Sequence, residues 1–96
     1  MSYSIKYSPE ALDTFNDIKE QINARWGDKY VQEFKRRSVK VIETIRESPF
    51  AFQSIHANKN VRRKVIHKNI SVFYEVESDS ISILFFWDNR QDPIFI

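Results

Sequence analysis

The chain's single glycine, Gly27, stands between two stretches whose apolar residues recur every three or four positions. Leu12, Phe15, Ile18, Ile22 and Trp26 form one such stripe, with Asp13, Asp17 and Glu20 outside it. Val31, Phe34, Ser38, Val41 and Ile45 form the next, flanked by Tyr30 and Ile42. Spacing of this kind puts each set along one side of an amphipathic helix. Ser8 followed by Pro9 opens the first helix, because the hydroxyl can accept from an orphan backbone N–H and proline at the first helical position forfeits no bond. Gly27 closes it in a left-handed conformation, Asp28 caps the second, and Pro49 stops the second. Two helices with so short a join must form an αα-hairpin, and both stripes then need a flat apolar surface to cover.

Alternating segments supply that surface. Tyr3, Ile5 and Tyr7 lie on one side of a first strand, with Ser4 and Lys6 on the other. Residues 61 to 67, 70 to 76 and 81 to 87 read as three further strands, joined tightly at "KN" and "SDS" in an antiparallel meander. Strict period-2 alternation gives Ile70, Val72, Tyr74 and Val76 a common face. In the last strand it gives Ile81, Ile83, Phe85 and Trp87 a common face, with Phe73, Leu84 and Phe86 on the opposite side of the sheet. His67 falls in phase with Val61, Arg63 and Val65. The stretch from Phe50 to Asn60 has no period and reads as a loop. The order strand, helix, helix and three strands predicts an α+β fold, β-α-α-β-β-β, with the hairpin packed on an antiparallel sheet.

The 96 residues suffice for one domain, 1–96, and 42% hydrophobic content with eight Phe excludes a disordered chain. Cysteine is absent, which removes disulfides, thiolate metal sites and a Cys nucleophile. His56 and His67 lack further ligands at metal spacing, and one glycine cannot make a phosphate loop, so neither metal nor cofactor is expected. No apolar run approaches the roughly 18 residues of a membrane helix and no signal peptide opens the chain, so the cytoplasm is the expected setting, with no membrane partner. Net charge is only +2, but no Asp or Glu lies between Ser48 and Tyr74. That segment carries Lys59, Arg62, Arg63, Lys64 and Lys68, so it stands at +5 against −3 for the rest. Such asymmetry is the pattern of a local footprint for a negative partner, or of a solvated basic face.

With "VRRKVI" opening the meander, "ISVFYEV" in its middle and "ILFFWDNRQDP" at its end, the chain resembles the RelE/ParE superfamily of toxins from bacterial toxin–antitoxin pairs. The resemblance rests on Arg62, on Tyr74, and on Arg90, Asp92 and Pro93 after the last strand. It implies a bacterial, plasmid-stabilizing type II system, a cognate antitoxin protein, and one of two activities. RelE-like members cut messenger RNA on the ribosome; ParE-like members inhibit DNA gyrase. Cutting needs a base for the 2′-hydroxyl, an acid for the leaving oxygen and cations for the phosphorane. Where nuclease members carry an Arg in the middle strand this chain has Ser71, and where they carry a Tyr or His near the C-terminus it has Phe95. The ending with Asp88 is closer to the ParE type.

The resemblance therefore implies a ParE-like toxin that binds gyrase, with Arg62, Arg63, Lys64, Lys68 and Arg90 as target-binding candidates. Arg62 and Arg63, being neighbours on a strand, must point to opposite faces. The alternative is a ribosome-dependent endoribonuclease using Arg62, Lys64, His67 and Arg90, and a further one is a non-toxic binding module of the same fold. An antitoxin segment would lie along the exposed sides of the helical hairpin, with Phe15, Trp26, Tyr30 and Phe34 as its contacts. A homodimer or a hetero-oligomer with the antitoxin is compatible with either activity.

Overall fold

The computed structural model describes residues 3–55 and 60–88. His56, Lys59, Arg90, Asp92, Pro93 and Phe95 lie outside the described residues. The element order is β1 (Ser4–Tyr7), α1 (Pro9–Trp26), α2 (Asp28–Glu47), β2 (Val61–His67), β3 (Ile70–Val76) and β4 (Ser80–Asp88). The four strands form one sheet in the order β1-β4-β3-β2. The meander β2-β3-β4 is antiparallel as expected, while β1 joins it parallel to β4, so the complete sheet is mixed. No helix among the described residues is long and apolar enough to cross a membrane.

Local chemistry sets the helix ends. The Ser8 hydroxyl accepts from the Ala11 N–H at 2.9 Å, and Pro9 is the first helical residue. Gly27, at φ +93°, ends α1 by donating its N–H to the Ile22 and Asn23 carbonyls, and the same residue is the N-cap of α2. The positive φ is what glycine permits at low cost. Asp28 does not cap: it is already the first residue of α2, and its carboxylate accepts from the Gln32 side chain at 3.3 Å.

Both stripes turn toward the sheet, with changes at the ends. In α1 the buried positions are Ala11, Ile18 and Ile22, with Phe15 packed against them. Leu12 and Trp26, 55% and 48% exposed, leave the stripe. Ala11, one residue earlier in the first turn, takes the buried place that Leu12 leaves. In α2, Val31, Phe34, Ser38, Ile42 and Ile45 are buried. Ser38 is accommodated because its hydroxyl donates back to the Phe34 carbonyl at 2.8 Å.

The faces of β4 differ from strict alternation. Phe73 pairs with Phe85 but Tyr74 pairs with Ile83, which leaves Leu84 as an extra residue. This β-bulge inverts the phase. Ile81 and Ile83 before it and Phe86 and Asp88 after it are buried, and Phe85 and Trp87 turn to the sheet's outer face. Two side chains at the start of α1, its N-cap Ser8 and Thr14, hold the inverted phase in place. Ser8 Oγ donates to the bulged Leu84 carbonyl at 2.6 Å, and Thr14 Oγ1 accepts from the Phe86 N–H at 2.9 Å. Phe86 then meets Phe15 at 5.1 Å and Phe34 at 6.4 Å between ring centroids, and Phe15 and Phe34 stack at 4.9 Å. This trio joins both helices to the sheet, each ring pair adding about 0.5–1.5 kcal/mol beyond its buried area.

Candidate functional site

The start of β2 carries the residues that the sequence singles out most strongly. Arg62 lies opposite Tyr74 and Lys64 opposite Val72, so both share the helix side of the sheet with those buried residues. Neither side chain extends free into solvent there. Arg62 donates to the Phe52 carbonyl at 2.6 Å and to the Phe50 carbonyl at 3.4 Å, with its guanidinium 5.2 Å from the centre of the Phe50 ring. Lys64 Nζ sits 4.7 Å from the centre of the Phe52 ring. The segment after α2 is thus drawn across the edge of β2 as a strap. It adds a short antiparallel bridge, Ser54 to Arg62, through bonds from the Ile55 N–H to the Val61 carbonyl and from the Arg63 N–H to the Gln53 carbonyl.

Tyr74 closes the same cluster from beneath. It is fully buried, and its hydroxyl donates to the Pro49 carbonyl at 2.8 Å. Burial disfavours the phenolate and pushes the hydroxyl up to about 12, against a smaller opposing pull from the Arg62 charge. A phenol held there is a fixed hydrogen-bond donor at neutral pH and a poor proton shuttle.

Arg63 points the other way, as neighbours on a strand must, and is exposed on the outer face across from Phe73. That face also carries Val65 and a Phe73–Phe85 stack with centroids 4.6 Å apart. Ser71, on the same side, is fully buried, and its hydroxyl has no hydrogen-bond partner among the described residues. No cation stands in the middle strand at this place.

The other end of β2 is built differently. Register shifts between Val65 and His67, so His67 pairs with Ile70 and comes round to the helix side, out of phase with Arg63 and Val65. The two-residue turn that follows holds Lys68 at φ +42°. Together with the ends of α1 and α2 it encloses an open groove of about 410 Å³, lined among others by Trp26, Tyr30, Phe34, Arg37, His67 and Lys68. Trp26 and Tyr30 leave half their surface in solvent, 48% and 52%, with ring centroids 6.5 Å apart. The one carboxylate of the lining, Glu33, accepts from both Arg36 and Arg37, and those hydrogen bonds hold it below the usual carboxylate range. Arg25 adds a further cation over the Trp26 ring, at 5.9 Å. The rim is therefore apolar and net basic.

Of the four antitoxin candidates, Trp26 and Tyr30 stand open in this groove, Phe34 is buried at its floor, and Phe15 belongs to the aromatic core. Of the nuclease candidates, Arg62 and Lys64 are engaged with the strap, while His67 lies five residues beyond Arg62 and three beyond Lys64, about 16 and about 10 Å along the strand at roughly 3.3 Å per residue. Arg90 is outside the described residues. The strap residues Pro49, Phe50 and Phe52 were missed, although "PFAFQSI" alternates large apolar with other residues for a few positions, as a short bridging strand does.

The family model for the ParE toxin of type II toxin–antitoxin systems, parDE, matches residues 5–93. No curated protein matches the sequence. Among solved structures, a chain of the chromosomal ParDE system from P. aeruginosa is similar at TM-score 0.77 and 15% identity, over 91% of this chain and 96% of that one. A chain of the E. coli DinJ–YafQ toxin–antitoxin complex is similar at TM-score 0.67 and 8% identity, covering 97% and 99%. One from the archaeal RelE–RelB complex of Pyrococcus horikoshii reaches TM-score 0.63 at 15% identity, covering 95% and 99%. At these identities the likeness is one of fold.

Proposed function

Because this chain belongs to the ParE toxin family of type II toxin–antitoxin systems, we propose that it is the toxin of such a pair and inhibits DNA gyrase by binding it, without cutting RNA. The observation that carries the choice is the employment of Arg62, Lys64 and Tyr74. The two cations hold the strap, and the phenol is buried, hydrogen-bonded to Pro49 and pushed up to about 12. A phosphoryl-transfer site needs cations and proton carriers free to converge on one phosphate. Here the groups that come nearest to that description support a surface instead.

On this reading the protein works in the bacterial cytoplasm, in a plasmid-stabilizing pair, and a cognate antitoxin keeps it inactive. The antitoxin would lay an apolar segment with acidic flanks into the groove of Trp26 and Tyr30, facing Arg37 and Lys68. Binding the native toxin stabilises it by mass action, about 2.7 kcal/mol at a hundredfold excess over Kd.

The test is pulse labelling of DNA and of protein synthesis in one culture after the toxin is induced without antitoxin. DNA synthesis is expected to fall first. An earlier fall in protein synthesis would replace this reading with the ribosome-dependent endoribonuclease.

A further inference from the structure

Phe50 is 61% exposed, yet its backbone and ring both meet Arg62. Behind it, Pro49 is buried and its carbonyl accepts from Tyr74. The Ala51 N–H donates to the Ser48 carbonyl at 3.1 Å, which turns the chain outward at this residue. The Phe50 and Phe52 carbonyls both accept from Arg62, whose guanidinium also lies against the Phe50 ring. Holding Arg62 there has a cost, since its Nε is buried with no hydrogen-bond partner among the described residues. Core packing does not require this arrangement, because the ring it orders points into water.

We propose that Phe50, backed by Arg62 and flanked by Lys64, is the anchor by which this toxin engages its protein target, entering an apolar socket bordered by carboxylates. The proposal rests on the gyrase-directed reading above and names the surface that serves it. An aromatic ring paired with an arginine is the composition of an interface hot spot, and fixing the ring beforehand removes the ordering cost that a mobile side chain would meet on binding. The charge of the socket follows from the sequence around the knob: residues 48–74 contain no Asp or Glu, and Arg62 and Lys64 stand on its side of the sheet. The anchor is separate from the aromatic groove at the far end of β2, with which it shares no residue. Target and antitoxin contacts can therefore be lost independently.

The experiment measures inhibition of gyrase supercoiling by purified wild-type, Phe50→Ala, Lys64→Glu and Val39→Ala proteins, alongside binding of each to the cognate antitoxin. Val39, 63% exposed on α2, is the control for loss of an exposed apolar side chain. Phe50→Ala and Lys64→Glu are expected to need about 10- to 100-fold more protein for half-inhibition. Both should bind antitoxin like the wild type, which also shows that they are folded, and Val39→Ala should match the wild type in both assays. Inhibition by the wild type that persists undiminished in Phe50→Ala and Lys64→Glu overturns the anchor alone. Loss of antitoxin binding in folded Phe50→Ala assigns the knob to the antitoxin and also overturns it. A wild-type protein that leaves supercoiling untouched overturns the gyrase reading and the anchor with it.

Discussion

At its beginning β2 is fastened by polar side chains, and at its end it is left beside an open apolar groove. Arg62 and Tyr74 donate to three backbone carbonyls of the strap, at Pro49, Phe50 and Phe52, so this region is tied at three points beside the exposed Phe50 ring. Near the turn, Trp26 and Tyr30 stand half exposed beside the groove, with ring centroids 6.5 Å apart. Buried hydrogen bonds fix geometry because leaving one unmade is costly. Exposed apolar surface does not fix geometry, and its stabilisation is realised only when a partner covers it. The strap is thus suited to a preformed contact and the groove to a segment that orders as it binds.

Substitutions should separate the two regions. The largest effect is expected for Arg62→Ala, which removes two charge-assisted hydrogen bonds to the strap. It should lower stability by about 2–3 kcal/mol, read as a shift of the urea midpoint at unchanged slope. Tyr74→Phe leaves the Pro49 carbonyl without its donor and should cost about 1–2 kcal/mol in the same assay.

The Tyr74 hydroxyl also gives the strap a pH signature. In the unfolded chain it ionises near 10, whereas in the native protein it is pushed up to about 12. Its contribution is present in full below pH 10 and is lost as pH climbs through about 12, because the unfolded state releases the proton first. Wild-type stability should therefore fall over that window more steeply than that of Tyr74→Phe. Parallel curves would show that the hydroxyl is not held as described.

The smallest effect on stability belongs to the groove. Tyr30→Ala removes a half-exposed ring and should stay within about 0.5 kcal/mol of the wild type. Its effect should appear instead as about a tenfold or greater loss of antitoxin affinity, measured by titration. A Tyr30→Ala protein as destabilised as Arg62→Ala would erase the distinction between the two ends of the strand.

The element order and both helical stripes were legible in the sequence because their periods are long and their stops, Gly27 and Pro49, are unambiguous. Of the features that were not, three have a local cause. The extra residue at Leu84 inverts β4, so Phe86 replaces Phe85 in the core, and period-2 reading has no means of locating a bulge bridged by Ser8 from another element. A second irregularity brings His67 to the helix side for the same reason. The role of Arg62 was hidden because its partners are backbone carbonyls, which leave no trace in residue identity. The opposed directions of Arg62 and Arg63 were readable, since they follow from the pleat alone.

The most direct measurement incubates purified, antitoxin-free protein in parallel with gyrase acting on relaxed plasmid and with ribosomes translating a defined message. The expected result is loss of supercoiling with the message intact. Cleavage of the message on the ribosome, with supercoiling unaffected, would contradict the proposal that this toxin binds its target and does not cut RNA.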